Sequence, residues 1–236
     1  MDNSKHVEKV DALFTSIAAR YNLINDIQSL GLHRFWKQRI VEMSSLANGE
    51  CALDICCGTG DLVTRLANKN NQVVGLDMNS PMLKVALNQL KKSNINNASL
   101  FQADALNLPF NDSSFDVVTI AYGLRNLSNY QNGLSEISRV LKPNGRLLIL
   151  DFGKPPNRFI RNLYYVYLKL VLPIFGLFFC GEPAAYSYIL KSLQKYPAQE
   201  GVSFILSEIG FSNITATNIM FGSMSIHVAE NTIYNK

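Results

Sequence analysis

Cysteine is scarce. Cys51, Cys56, Cys57 and Cys180 are the only four in 236 residues, and no C-x-x-C pair occurs. A vicinal pair inside an apolar run is poorly placed to ligate zinc, so no metal centre is expected. Small buried thiols in a reducing compartment are the simpler reading. Charge is scarce too, at 17% of residues and +4 net. No Lys/Arg block is dense enough to track nucleic acid, and the one basic cluster is His33-Arg34-Phe35-Trp36-Lys37-Gln38-Arg39. The first ten residues, MDNSKHVEKV, lack an apolar core of the signal-peptide kind, so a cytoplasmic location is expected.

Repeats, low-complexity tracts and Pro/Gly/Ser-rich linkers are also missing. A single domain over 1–236 follows, with a helical cover at 1–48 and a core at 49–152. An apolar lid at 153–200 and a terminal helix and hairpin at 201–236 complete it. Long apolar runs are absent but for one, LYYVYLKLVLPIFGLFFC at 163–180. Its length would suit a membrane span, but Lys169, Pro173 and Gly176 interrupt it. The expectation is a broken greasy helix that covers a site or touches a bilayer surface.

What is present is alternation. Apolar runs at 51–57, 72–77, 98–103, 115–122 and 146–152 are nearly continuous, as in parallel strands buried on both faces. Helical periods separate them. Asn79-Ser80-Pro81 caps one, with Met82, Val85, Ala86 and Leu90 on a single face. Leu134, Ile137, Val140 and Leu141 stripe another, stopped by Lys142-Pro143-Asn144-Gly145. A helix at 203–209 stops at Gly210, and NITATNIM and SMSIHVAE flank Phe221-Gly222 as a hairpin. The fold class is α/β and Rossmann-like: a mostly parallel seven-stranded sheet closed by an antiparallel hairpin, with added N-terminal and lid helices.

Asp54-Ile55-Cys56-Cys57-Gly58-Thr59-Gly60 ends the first strand and opens a helix. Gly58 and Gly60 allow a tight turn against which a ligand can lie. A dinucleotide loop would place a third glycine where Val63 stands, which disfavours NAD. Asp77 closes the second strand and suits a ribose, while Asp104-Ala105 closes the third and suits an adenine amine. Asp54 beneath the loop suits an ammonium better than a phosphate. Acids at three strand ends therefore favour S-adenosyl-L-methionine, although each taken alone is an ordinary turn former.

These residues carry a resemblance. Phe14-x-x-Ile17-Ala18-x-x-Tyr21-x-x-x-Asn25, with Ser29-x-Gly31-x-His33-x-x-Trp36, is similar to the N-terminal signature of the ubiquinone/menaquinone biosynthesis C-methyltransferases. Leu53-Asp54 with Gly58-Thr59-Gly60-Asp61-Leu62 resembles that family's cofactor loop. YGLRN at 122–126 and EISRVLKPNGRLLILDFGKP at 136–155 resemble its second signature. Similarity spans about residues 10–228. The chain departs from the pattern at Cys56, where glycine is usual, and at Ala121, where serine is frequent. Its GSMSIHVAE ending is only loosely similar.

The resemblance implies S-adenosyl-L-methionine-dependent C-methylation of a prenylated quinol ring. YGLRN and the double-Cys loop incline it toward demethylmenaquinol, or a phytyl-naphthoquinol, with a ubiquinone-type benzoquinol as the alternative. It implies cofactor contacts at Thr59, Asp77, Asp104 and Ala105, with Met78 and Ala121 beside them, and catalytic roles for Arg125, Asn126 and Asp104. Arg125 would be a fixed positive charge favouring phenolate, and Asn126 would steer the hydroxyl proton toward Asp104. The plainer alternative pairs Arg125 with a carboxylate and makes Asn126 a helix cap. Cys56 and Cys57 are read as packing only. Residues 159–180 and Phe35-Trp36 would line a prenyl tunnel, with Tyr164, Tyr165, Tyr167, Phe175, Phe178 and Phe179, or touch lipid; a homodimer interface is the other reading. Arg34, Lys37 and Arg39 would face anionic headgroups or solvent. An N-methyltransferase is disfavoured, since no Asn-Pro-Pro-aromatic follows the fourth strand. A small-molecule O-methyltransferase and a non-catalytic cofactor-binding scaffold stay open.

Overall fold

The computed structural model describes residues 3–67, 71–179, 192–193 and 195–232. Three helices come first: α1 (Asn3–Ile17), α2 (Tyr21–Ser29) and α3 (Leu32–Met43). Strand and helix then alternate through β1 (Cys51–Ile55), α4 (Asp61–Ala67), β2 (Gln72–Asp77), α5 (Ser80–Lys92) and β3 (Ala98–Gln102). After β4 (Phe115–Ala121) come α6 (Tyr130–Val140), β5 (Leu141–Phe152) and α7 (Arg158–Phe179). The chain ends with α8 (Ala198–Ile209), β6 (Phe211–Ile219) and β7 (Met224–Asn231).

One seven-stranded sheet runs in the order β3-β2-β1-β4-β5-β7-β6. The first five strands are parallel, and β7 joins antiparallel to β5 and β6. Period-two alternation sorts the core. Leu147 and Ile149 of β5 join Val118, Ile120, Leu134, Ile137, Val202 and Leu206 on the α6/α8 face. Leu148 and Leu150 join Trp36, Ile40, Leu62, Val63 and Leu66 on the opposite face. A one-residue slip would exchange these sets, so the register is tightly specified.

Helix ends follow the local chemistry. Asn79 caps α5 by accepting the Met82 amide, with Pro81 in the first turn. Gly210 ends α8 at φ +104°. The hairpin forms as expected, joined through Met220–Gly222.

Several expectations need correction. β3 is an edge strand, half exposed rather than buried on both faces, because no strand among the described residues pairs with its outer side. Leu141 belongs to β5, and Lys142–Gly145 is an irregularity within that strand: Leu141 pairs with Phe115 but the next partners are Arg146 and Val117. Cys56 and Cys57 lie just beyond β1, in the loop. α7 is not broken. Helical backbone continues through Pro173 to Phe179, since a proline deletes one amide from the ladder without ending the run by itself.

No helix among the described residues is long and apolar enough to cross a membrane. Phe35 and Trp36 part company, Phe35 facing out and Trp36 joining the core. Lys37 is buried on Asp61 at 3.1 Å, and Arg34 holds Asp26, so neither is a free headgroup ligand. Cys180, and the side chains of Phe175, Phe178 and Phe179, lie outside the described residues.

Candidate active site

The sheet order reverses between β1 and β4, since the chain leaves β1 toward β2 and leaves β4 toward β5. Ligands in open α/β sheets sit at the carboxyl ends of strands at such a point. A cleft of about 870 Å³ opens there, between the loops after β1, β2, β3 and β4, with α1 and α2 over it. Of the residues singled out from sequence, Gly58, Asp77, Met78 and Asp104 line it, together with Ala105, Ala121 and Asn126.

The two loop glycines do different jobs. A Cβ on Gly58 would meet nothing nearer than the Tyr21 ring, at 4.0 Å, so the loop leaves open space on that side. A Cβ on Gly60 would come within 2.9 Å of the Ala86 Cβ, so Gly60 lets α5 approach the loop. Val63 is accommodated by a glycine on the strand instead: a Cβ on Gly75 would lie 2.8 Å from Val63 Cγ2. Cys56, where a glycine is usual, holds φ +55° and borders the cleft, so it is more than packing. Burial pushes its thiol well up, with the nearby acids adding to that, and leaves it a neutral wall.

Asp77 is fixed on both oxygens. Its Oδ2 accepts the Gly58 amide and its Oδ1 the Asn79 amide, each at 2.8 Å. Burial raises its pKa, the two amides pull it back, and Asp11 across the cleft raises it further. Asn79 also donates to Asp11 Oδ1 (2.9 Å) and Thr15 Oγ1 (2.7 Å), which ties α1 to the rim. Asp104 accepts the Leu106 amide at 2.9 Å, a turn contact that leaves acceptor capacity toward the cleft. Three carboxylates line the cleft, and no Lys, Arg or His is among the described lining residues. Such a wall repels a pyrophosphate and attracts a cation.

Four of the singled-out residues stand behind the lining. Asp54 is buried and its Oδ1 accepts the Thr119 hydroxyl at 2.7 Å. Burial, against that hydrogen bond, pushes its pKa up to about 7. Thr59 is buried and donates to Asn22 Oδ1 at 2.8 Å, linking the loop to α2. Gly60 faces α5. Arg125 is turned away from the cleft, with Nη1 on Asp151 Oδ1 at 3.1 Å and on the Tyr122 carbonyl at 2.7 Å. Its guanidinium carbon lies 4.7 Å from the centre of the Phe152 ring. The plainer expectation for Arg125, pairing with a carboxylate, is thus met. Asn126 reaches the Tyr122 carbonyl at 3.3 Å, and Asn129, not Asn126, caps α6.

The sequence reading gave no role to Asp11, which lines the cleft. A lone acid on a polar helix face carries no signal of that. Tyr21 and Phe14 also line it, edge to face at 6.0 Å, and their spacing in the N-terminal signature was the available clue.

The sequence model of the ubiE/COQ5 methyltransferase family matches residues 1–231. The chain belongs to the ubiE/COQ5 methyltransferase family. Among its relatives, the ubiquinone/menaquinone biosynthesis C-methyltransferase UbiE of Pseudomonas savastanoi pv. phaseolicola is 40% identical over 95% of this chain and 89% of its own. The UbiE of Shewanella sp. (strain W3-18-1) is 38% identical over 96% and 92%. Among solved structures, a SAM-dependent methyltransferase from Aquifex aeolicus superposes with a TM-score of 0.63, covering 88% of this chain and 98% of that one at 19% identity, and so shares its fold.

Membership of the ubiE/COQ5 family makes S-adenosyl-L-methionine the cofactor. The residues present fit it. Gly58 leaves backbone room, Asp77 offers acceptor lone pairs at a strand end, and Asp11, Asp77 and Asp104 match a cationic ligand without phosphates.

Proposed function

We propose that this chain methylates a ring carbon of a prenylated quinol, with demethylmenaquinol, or a related phytyl-naphthoquinol, as the preferred acceptor. The observation that carries the reading is a cleft with acidic walls and no Lys, Arg or His among its described lining residues, backed by the buried Arg125–Asp151 pair on the loop after β4. The UbiE relatives, ubiquinone/menaquinone biosynthesis C-methyltransferases, supply the quinone class. The YGLRN segment and the Cys56-Cys57 loop incline the choice toward the naphthoquinol. A benzoquinol acceptor is the second reading, since those names cover both pathways.

When bound, S-adenosyl-L-methionine supplies an electrophilic methyl group on a sulfonium. The chain's own part is placement and electrostatics, which together account for much of the acceleration in reactions of this kind. Partial loss of a quinol hydroxyl proton pushes charge onto the adjacent ring carbon. Arg125, always protonated, favours the phenolate oxygen, and Asn126 orients the hydroxyl. Asp104, at the exposed lip of the cleft, is the proposed route for the proton. No covalent intermediate on the chain is needed, and the neutral Cys56 thiol is unsuited to form one. Asp77, Met78, Ala105 and Ala121 are assigned to the cofactor, with Gly58 giving it backbone room. Asp54, Thr59 and Gly60 are assigned to holding the loop.

The experiment is single turnover with methyl-labelled cofactor and chemically reduced acceptors. Transfer of label to the demethylnaphthoquinol, at least about tenfold faster than to a demethoxy-benzoquinol, is expected; the reverse order would establish the second reading. Asp77→Asn removes one acceptor from the ribose end. It is expected to weaken S-adenosyl-L-methionine binding by about tenfold, read by calorimetry, in line with about 1.5–3 kcal/mol for a hydrogen bond to a charged group. An unchanged dissociation constant would withdraw Asp77 from the site.

A further inference from the structure

Five buried polar atoms gather around the Arg125–Asp151 pair without a partner among the described residues. They are the hydroxyls of Tyr122, Tyr164 and Tyr196, Ser225 Oγ, and His227 Nδ1. Each of the three tyrosines is electrostatically coupled to both Arg125 and Asp151, and His227 to Asp151. Ser225 is the cross-strand partner of Asp151. Folded proteins leave few such groups unmet, because each has given up water for nothing in return. Unmet groups scattered over a molecule would be unremarkable; five around one ion pair point to a ligand.

The chemistry of the cluster narrows what that ligand is. Arg125 is already neutralised by Asp151 at 3.1 Å, so the site has no surplus charge for a phosphate or a carboxylate. Burial raises all three tyrosine pKa values, so their hydroxyls stay protonated and can donate. His227 Nε2 lies 3.1 Å from the Gln199 carbonyl, which assigns the proton to Nε2 and leaves Nδ1 an acceptor. Burial lowers its pKa and keeps the ring neutral. Two edge-to-face ring pairs include members of the group or its neighbours: Tyr122 with Phe152 at 6.1 Å, and Tyr130 with Tyr196 at 5.9 Å. Donors for oxygen, acceptors for a hydroxyl proton and flat apolar walls suit a neutral aromatic diol. Tyr122 connects the two places, since it also lines the cofactor cleft.

We propose that Tyr122, Tyr164 and Tyr196, with the Arg125–Asp151 pair, form the subsite for the quinol's ring oxygens, roofed by Tyr164 from α7. The inference rests on the quinol reading above and deepens it. It gives Arg125 a position consistent with a role in the chemistry although it does not line the cofactor cleft: its guanidinium belongs to the adjoining oxygen subsite. As the hydroxyl proton departs, tyrosine donors and the guanidinium hold the oxygen that becomes negative.

The test uses Tyr164→Phe and Tyr196→Phe in the full chain. Each deletes one hydroxyl that has no hydrogen-bond partner among the described residues. Both are expected to keep or raise the thermal midpoint of the free protein and to bind S-adenosyl-L-methionine within about twofold of wild type. Both should weaken binding of a short-chain prenyl naphthoquinol, kept reduced and titrated in the presence of S-adenosylhomocysteine, by about tenfold or more. Quinol binding within twofold of wild type in both variants overturns the subsite. So does a fall in thermal midpoint accompanied by equal loss of both ligands, which would make the hydroxyls structural. If wild-type protein takes up S-adenosyl-L-methionine but no quinol, the functional reading fails, and the subsite with it.

Discussion

Asp54 titrates where few carboxylates do. Its neighbours in the loop were legible from sequence, because a glycine pair after an apolar strand is a chemical signature. Asp54's orientation was not, since one strand residue can point toward either side of the turn. In the structure it points inward, to Thr119, and burial raises its pKa from 3.8 to about 7. The folded protein therefore holds this proton more tightly than the unfolded chain does. Stability falls as pH rises through the interval between those values and is flat above it. On the order of 3–4 kcal/mol is at stake between about pH 4 and pH 7. Asp54→Asn keeps an acceptor for Thr119 and cannot ionise. Urea unfolding at pH 5 and pH 8 is expected to show the wild-type difference shrink by at least half in the variant. Arg125 and Asp11 show the same limit from two directions. One was named from its loop but its ion pair needed three dimensions, and the other had no local pattern at all.

Elements were more readable than their edges. Parallel strands announced themselves by continuous apolar runs, and α5 by its Asn-Ser-Pro start. Leu141 misled because it continues the apolar spacing of α6 while its backbone has already turned extended. Pro173 misled because one missing amide removes a single hydrogen bond and need not end a helix of 22 residues. Val63 shows what the glycine count alone does not. The close approach of α4 to the sheet is allowed by the bare strand residue Gly75, where an added Cβ would lie 2.8 Å from both Val63 and Leu100. Gly75→Ala should cost about 1–3 kcal/mol by overpacking. Combining it with Val63→Ala should cost less than the sum of the two, by at least about 0.5 kcal/mol, in chemical denaturation. Strict additivity would mean that the helix shifts rather than the side chain yielding.

At the scale of the molecule, one face of α7 is left bare. Phe159, Leu163, Val166 and Leu170 are 78%, 61%, 52% and 59% exposed, at helical spacing. Arg158, Arg161 and Lys169 lie on the same helix, and the sequence has no acid between Asp151 and Glu182. A face of this kind suits an anionic bilayer surface, and we propose peripheral contact there, where the proposed prenylated acceptor would partition. Phe159→Ser with Leu163→Ser is expected to lower co-sedimentation with anionic vesicles by about fivefold, and 0.5 M salt to lower wild-type binding in the same assay. A shift in oligomeric state with no change in vesicle binding would assign the face to a second copy of the chain.

The acidic cleft works differently before and after the reaction. In the proposed assignment, Asp11, Asp77 and Asp104 draw in a nucleoside that arrives with a positive sulphur, and methyl transfer leaves that sulphur uncharged. On that assignment the attraction weakens in the same step that consumes the donor, and the spent nucleoside is left with one positive charge fewer facing the acids.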